Sequence, residues 1–185
     1  MQKKNVFICA LACLVLFSGS AMAQTQDPFL REGSQELALS GLFDFEREGH
    51  ASLQLTGRYG YLWRDYIELG GFAELDGRFT DVFRYGIGGF VDYHVPTLSF
   101  LPSLRTIPYL GVDVSLQFVD SDISQDNAAL VFRPRAGVKW FVRDYFAIDT
   151  TFYFALATDD IFQNNKNDLD PYDIGITLGL RLYFR

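Results

Sequence analysis

Residues 172–184 read YDIGITLGLRLYF, and large apolar side chains occupy every second position of this stretch. The apolar set is Tyr172, Ile174, Ile176, Leu178, Leu180, Leu182 and Phe184, and the set between them is Asp173, Gly175, Thr177, Gly179, Arg181 and Tyr183. A β-strand separates these sets onto two faces, whereas a helix would mix Asp173 and Arg181 into the apolar stripe. The pattern therefore predicts a strand with one apolar and one polar face.

Seven segments upstream show the same period of two, so the sequence predicts eight strands in all. The clearest lie at 52–63, 109–118, 132–142 and 146–156, and the weaker ones at 35–46, 66–76 and 83–94. A short internal repeat, YLWRDYI at 61–67 and WFVRDYF at 140–146, places Arg-Asp between two strands each time. Both copies predict a tight hairpin turn, and both turns fall at the same end of the sheet.

The polar faces carry charges of both signs, and the apolar faces are long and nearly pure. The basic residues on the polar faces are Arg58, Arg84, Arg133, Arg135, Lys139 and Arg181, and the acidic ones are Glu68, Glu74, Asp92, Asp113, Asp149 and Asp173. A soluble barrel would have an apolar interior and a charged exterior. We therefore expect the charges to pair across a narrow lumen while the apolar faces contact lipid.

Length supports this interpretation, because a tilted membrane-spanning strand takes about nine to eleven residues. Eight such strands fit this chain and the sixteen of a general porin do not. The predicted fold is all-β: an eight-stranded antiparallel up-and-down transmembrane β-barrel with a polar, side-chain-filled interior. Aromatic residues stand where membrane interfaces should be, at Tyr61, Trp63, Tyr66, Tyr93, Trp140, Tyr145 and Phe184 near the turns and at Phe43, Phe45, Phe83, Phe118, Phe154 and Tyr172 near the other end. A soluble double-layer β fold is the alternative, and it leaves the lipid-like faces unexplained.

The first 23 residues, MQKKNVFICALACLVLFSGSAMA, have a basic start, a short apolar stretch and a small-residue end. These features predict a Sec signal peptide cleaved between Ala23 and Gln24, followed by a short polar lead-in at 24–33 and the barrel at 34–185. A membrane anchor is an alternative, but the apolar stretch is shorter than the about twenty residues that spanning needs. A lipoprotein signal ending at Cys13 is another.

Cleavage at this site changes the charge and the cysteine content. It leaves 162 of the 185 residues, with 14 basic and 23 acidic ones, so the net charge falls from −7 to −9. Both cysteines leave with the signal. The mature chain then has no thiolate metal site, and we expect no cofactor and no catalytic or metal site. A sequence pI of about 4.7 argues against a nucleic-acid partner, because phosphate backbones are bound by basic surfaces.

From Ser34 to Arg185 the chain resembles the small outer-membrane β-barrels of the OmpA/OmpX type. The most specific pieces are GYLWRDYIELG at 60–70, similar to the strand-turn-strand corner of the family, and GLRLYF at 179–184. The second resembles the signal read by the barrel-assembly machinery, here with Gly179, Leu182 and Phe184, although Arg185 makes the aromatic residue penultimate. The resemblance implies a monomer in the outer membrane of a Gram-negative-type cell, surrounded by lipids and lipopolysaccharide, with both termini periplasmic.

With that orientation the outer loops are 47–50, 77–82, 119–128 and 158–171. The last is acidic and rich in Asn, so it could bind a divalent cation, but it lacks the spaced ligands and glycine of a calcium loop and is better explained as a solvated loop. The connection at 95–107 is long for a periplasmic turn, and it could lie along the membrane or contact another protein.

These features favour a non-enzymatic structural or surface-interaction role. A narrow channel for ions or small solutes is the alternative, and an outer-membrane lipid-modifying enzyme is the weaker one. The chain has two histidines, His50 and His94. His50 lies two residues from Ser52, but no spacing places the third partner that a catalytic triad requires. His94 is expected on the lumen face near the inner end, far from the lipid of the outer leaflet.

Overall fold

The computed structural model describes residues 30–45, 51–78, 82–95, 105–121, 127–163 and 169–185. The predicted signal peptide and residues 24–29 of the lead-in lie outside the described residues, as does His50. The strands are β1 (Gln35–Phe45), β2 (Ala51–Arg64), β3 (Ile67–Arg78), β4 (Val82–His94), β5 (Arg105–Ser121), β6 (Asn127–Arg143), β7 (Phe146–Ala157), β8 (Phe162–Gln163), β9 (Leu169–Asp170) and β10 (Tyr172–Phe184). The described residues include no helix long and apolar enough to cross a membrane.

Eight of these strands close into one antiparallel barrel in the order β1-β10-β7-β6-β5-β4-β3-β2. Each pairs with its neighbour along the barrel chain, and β10 pairs with β1 from Gln35 opposite Phe184 to Gly41 opposite Leu178. The predicted eight-stranded up-and-down barrel is confirmed. The sequence did not predict the separate two-stranded hairpin of β8 and β9, which lies within the connection from β7 to β10.

Two barrel strands are longer than predicted, since β5 and β6 each have 17 residues. The predicted loop at 119–128 is therefore partly strand, and so are the ends of 77–82 and 95–107. The reason is visible at Val119, Ala129 and Val131, which face inward and are buried in an apolar cluster. Because both faces are apolar there, the alternation that marks the rest of the barrel disappears from the sequence.

The repeated Arg-Asp segments form two-residue turns, one position later than predicted. Arg64 ends β2 and Arg143 ends β6, so the turns are Asp65-Tyr66 and Asp144-Tyr145. The pairing register shifts just before each turn, between Leu62 and Arg64 and between Phe141 and Arg143. The two hairpins lie four strands apart and so on opposite sides of the barrel. We call the end of the barrel that carries these two turns the inner end; the start of β1 and the end of β10 lie there too. The other end of the barrel is called the outer end.

The wall of the barrel separates apolar and polar side chains as the alternation predicted. On β10, the outward residues Ile174 and Leu178 are 58% and 60% exposed, while the inward Arg181 is 1% exposed. The same division holds along β2, where Leu53, Leu55 and Tyr59 face outward and Gln54, Thr56 and Arg58 are buried. Charged residues thus form the interior of this protein and apolar residues its exterior, which is the arrangement that a hydrocarbon surrounding requires.

Candidate functional site

The barrel interior is the place where the chain concentrates its charged side chains, and the structure positions every predicted lumen residue on the inward face. Eleven of the twelve take part in ion pairs: Arg58, Glu68, Glu74, Arg84, Asp92, Asp113, Arg133, Arg135, Lys139, Asp149 and Arg181. The twelfth, Asp173, is half-buried and accepts a hydrogen bond from the Tyr153 hydroxyl at 2.9 Å. No ion pair of Asp173 is found within the described residues.

A chain of ion pairs crosses the middle of the lumen. The Arg58 guanidinium on β2 lies 2.6 Å from Oδ1 of Asp113 on β5. The same Oδ1 lies 2.9 Å from Nε of Arg135 on β6. Arg135 in turn donates to both carboxylate oxygens of Asp92 on β4, at 2.6 and 2.7 Å. The Arg58 guanidinium also stacks on Phe90, 4.2 Å from the ring centroid. Four strands are tied together through groups that fill the space between them.

Near the inner end, the ammonium of Lys139 is surrounded by four partners from four strands. Its Nζ lies 2.5 Å from Glu36, 3.4 Å from Glu68, 2.7 Å from Nε2 of His94 and 2.8 Å from the Tyr183 hydroxyl. Because the ammonium has only donors, His94 accepts at Nε2, and its Nδ1 is 3.3 Å from the carbonyl oxygen of Tyr66. Lys139 itself is fully buried.

Glu36, Glu68 and His94 are also the one group within the described residues whose ligand atoms lie close enough together to hold a metal ion, all within 4.8 Å of one another. Two carboxylates and an imidazole are a ligand set that zinc accepts. The Lys139 ammonium lies among these ligand atoms and supplies the positive charge that a metal would bring. In the native chain this cluster therefore binds its own lysine.

Arg181, on β10, connects this cluster to the neighbouring strand β7. It pairs with Glu36 on β1 and with Asp149 on β7, where Nε and Nη2 donate at 3.1 and 2.9 Å. Asp149 also accepts from the Tyr109 hydroxyl and from Thr151, both at 2.8 Å. A buried carboxylate with this many donors has its hydrogen-bonding capacity filled, which offsets the cost of removing it from water.

Near the outer end, Glu74 on β3 pairs with Arg133 on β6, and its carboxylate lies 2.9 Å from Nη1. Arg84 pairs with Asp76 and donates at 3.3 Å to the carbonyl oxygen of Ile161. Its guanidinium also lies 4.7 Å from the centroid of the Phe162 ring. Arg84 thus holds the connection from β7 to β10 against the barrel interior.

Inward glycines make room for these large side chains. A Cβ at position 111 would collide with Oδ1 of Asp92, and one at position 179 with Oδ1 of Asp149. Each glycine lies on the strand beside the carboxylate it accommodates. The glycines of the polar faces are therefore part of the packing of the interior.

Apolar clusters close the lumen at both ends. At the inner end, Leu30 from the predicted lead-in is fully buried, and the cluster consists of Leu30, Leu62, Ile107, Phe141, Ala147 and Tyr183. The Leu30 carbonyl accepts from the Tyr66 amide at 3.1 Å, so residues 30–34 fold back over the opening. At the outer end, Ile161 and Phe162 are 1% and 3% exposed and pack with Val119, Ala129, Val131, Tyr153 and Ala155. The expectation of a wholly solvated loop at 158–171 is thus wrong at these two residues.

The site residues predicted from the sequence do not include six members of this network: Glu36, Asp76, Tyr109, Thr151, Tyr153 and Tyr183. With Glu36 and Asp76, the described inward carboxylates outnumber the described inward cations by eight to six. The signal for Glu36 was present, since it alternates with Leu37 and Leu39 in QELAL at 35–39. Its partners come from residues more than 100 positions away, and alternation carries no information about those.

No protein-family model matches this sequence, and no curated protein matches it at a significant level. Among solved structures, the N-terminal β-barrel domain of Pseudomonas aeruginosa OprF is similar, with a TM-score of 0.58 and 17% identity over 83% of this chain and 98% of that one. Neisserial surface protein A (NspA) gives a TM-score of 0.55 and 16% identity over 82% of this chain and 96% of that one. The chain has the fold of the small outer-membrane β-barrels. At these identities the likeness concerns the fold, and the residues of the interior are argued from this chain alone.

Within the small outer-membrane barrel fold, the predicted assembly residues lie on the closing strand. Gly179 is buried beside Asp149, whereas Leu182 and Phe184 face outward. Phe184 pairs through its backbone with Gln35, the first residue of β1. The end of the chain is therefore the edge that completes the barrel, and its reading by an assembly machinery stays a prediction.

Proposed function

We propose that this protein is an integral outer-membrane β-barrel with a structural or surface-interaction role and no enzymatic activity. The observation that carries the proposal is the combination of an apolar exterior with an interior filled by ion pairs and closed at both ends. Such a barrel contributes a stable wall and a set of outer loops. The outer-membrane location is supported by the predicted signal peptide and by the fold.

A narrow channel is the alternative, and the packing of the lumen argues against it. A conducting path would have to pass the chain from Arg58 through Asp113 and Arg135 to Asp92, whose members lie 2.6 to 2.9 Å apart. It would then meet Lys139 with its four partners and the apolar cluster around Leu30 and Leu62. Opening such a path means separating buried charges, at about 3–5 kcal/mol for each broken pair.

An enzymatic role is also disfavoured by the surroundings of His94. Its side chain is fully buried, and its two ring nitrogens contact Lys139 and the backbone of Tyr66. A histidine that serves as a general base needs access to a substrate hydroxyl or water. His94 instead acts as an acceptor inside the ion-paired interior.

Two measurements test the proposal. Cell fractionation with a gel of boiled and unboiled samples should place the protein in the outer-membrane fraction and show a mobility shift on heating. Planar bilayers with the purified barrel should stay silent, both for the native chain and for Asp113→Ala. Recovery in the soluble periplasm with unchanged mobility would contradict the barrel role, and discrete conductance steps altered by Asp113→Ala would favour the channel.

A further inference from the structure

Two exposed arginines occupy equivalent positions on opposite sides of the inner end. Arg64 is the last residue of β2 and Arg143 the last of β6, each next to a two-residue turn and just after a register shift. The ion-paired interior does not use either side chain. Their repetition four strands apart places two cationic groups across the barrel from each other.

Among the described residues, neither arginine has an acidic partner, even though each is followed by an aspartate. The Asp65 carboxylate accepts from the Glu32 amide at 2.9 Å, and Asp144 pairs with Arg105. Throughout the described ranges, no ion pair is formed by Arg64 or Arg143. The other charged side chains described at this rim are Arg31, Arg105 and Arg185 with Glu32, Asp65 and Asp144, so the described side chains there carry an excess of positive charge.

Exposed aromatic residues next to both arginines mark the level of the membrane interface. The Arg64 guanidinium lies 4.9 Å from the centroid of the Trp63 ring, and Trp63 is 52% exposed on the outward face. Tyr145, in the turn after Arg143, is likewise exposed. Tryptophan and tyrosine favour the boundary between hydrocarbon and headgroups. The two guanidinium groups therefore stand where lipid phosphates lie.

We propose that Arg64 and Arg143 bind the phosphate groups of glycerophospholipids in the leaflet at the inner end, with preference for anionic headgroups. A guanidinium donates two parallel hydrogen bonds to a phosphate. An anionic lipid is preferred over a zwitterionic one because it has no ammonium to be repelled by the arginine-rich rim. This inference rests on the proposed function, since it needs the barrel to span a membrane.

The two tryptophans provide a local test, because Trp63 adjoins Arg64 and Trp140 is three residues from Arg143. The barrel, with Trp140→Phe, is inserted into vesicles of equal phosphatidylglycerol and phosphatidylcholine, with one or the other lipid brominated to quench fluorescence. We expect brominated phosphatidylglycerol to quench Trp63 more strongly. Arg64→Gln should lower the ratio of Trp63 quenching by brominated phosphatidylglycerol to quenching by brominated phosphatidylcholine about fivefold, because this is the effect of one basic residue at an anionic surface. Arg64→Lys should keep most of that ratio.

Each arginine is the control for the other. At the Trp63 reporter, Arg143→Gln removes the same charge on the far side and should leave the quenching ratio unchanged. In the Trp63→Phe background, the Trp140 reporter should respond to Arg143→Gln and not to Arg64→Gln. Equal quenching by both lipids before substitution, or a ratio at Trp63 that ignores Arg64→Gln, would overturn the inference. Failure to insert, seen as a missing heat-dependent mobility shift, would instead overturn the proposed function on which it rests.

Discussion

The Lys139 ammonium lies 2.5 Å from the Glu36 carboxylate, although 103 residues separate the two in the chain. Glu36 is on β1 and Lys139 on β6, three strands away around the barrel, so the pair reaches across the lumen. Both side chains are fully buried. The stability of the barrel should therefore depend on this pair more than on any charge at its surface.

Replacing Lys139 with methionine keeps an apolar stem of similar length and removes the charge. Glu36 and Glu68 would then be buried without their cation, and we expect the free energy of unfolding to fall by about 3–5 kcal/mol. Urea unfolding of the barrel in lipid vesicles, followed by heat-dependent mobility, measures this loss. Asp160→Asn removes an exposed charge and should change the value by less than about 0.5 kcal/mol. Equal effects of the two substitutions would show that the buried cluster does not contribute as described.

Shortening Lys139 to alanine should convert its cluster into a metal site. The carboxylates of Glu36 and Glu68 and the imidazole of His94 would then surround an open position suited to Zn²⁺. Refolding Lys139→Ala with Zn²⁺ should raise its unfolding midpoint, because a ligand that binds only the folded state stabilises it. The native protein, and Lys139→Ala combined with His94→Ala, should not respond. A zinc effect that survives the loss of His94 would point to another site.

Glycine 111 tests whether the inward glycines are packing residues. Gly111→Ala places a methyl group against the Asp92 carboxylate and should disturb its pair with Arg135, at a cost of about 1–3 kcal/mol. Gly57→Ala is a matched control, because Gly57 is also a strand glycine but faces outward with open space around its position. That change should be neutral or stabilise by up to about 1 kcal/mol through the unfolded state. Comparable losses of unfolding free energy at both positions would mean that the strand conformation of the glycine, and not the space around it, determines the effect.

Cysteine labelling should show which residues of the β7 to β10 connection are buried in the apolar cluster at the outer end. The experiment is simple because the predicted mature chain has no cysteine of its own. Asp160 is exposed and Ile161 is buried, although they are adjacent. On whole cells, a membrane-impermeant maleimide should modify Asp160→Cys quickly and Ile161→Cys slowly. Asp144→Cys, in an inner turn, should react only after the envelope is opened. Labelling of Asp144→Cys on intact cells would reverse the proposed orientation.

The end of β10 should control assembly. Removing Phe184 and Arg185 deletes the outward aromatic residue and the backbone that pairs with Gln35, so less protein should reach the heat-modifiable form in cells. Removing Arg185 alone leaves Phe184 terminal and costs one exposed hydrogen bond to the Glu32 carbonyl, so assembly should be normal. Insertion of the shorter chain at the native level would contradict the predicted assembly signal.

Strand alternation predicted the barrel well because lipid and lumen impose opposite requirements on neighbouring residues. It located β10 and β7 within a residue of their bounds, and it put Arg135 and Asp92 on the same inward face. It failed where that contrast vanishes, as at Val119 and Val131, whose inward positions are apolar under the outer hairpin.

The pairing within the lumen was beyond the reach of the sequence for a different reason. Which cation meets which carboxylate depends on the stagger between strands, and this is set by closure of the whole barrel. Asp173 illustrates the limit, because alternation predicts an inward position for it but carries no information about its partner, the Tyr153 hydroxyl. The folding back of Leu30 likewise depends on an opening that exists only after the barrel has closed.

The contacts of Glu36 also bear on the order in which the barrel forms. This carboxylate belongs to the first strand, while its partners Arg181 and Tyr183 belong to the last and are 145 and 147 residues away. A chain that has inserted its early strands without the last one lacks two of the three groups that contact Glu36 and keeps only Lys139. Burying the carboxylate with fewer partners is costly in a surrounding of low polarity. We therefore expect partly inserted states to be disfavoured until β10 docks, so that insertion and closure of the barrel occur together.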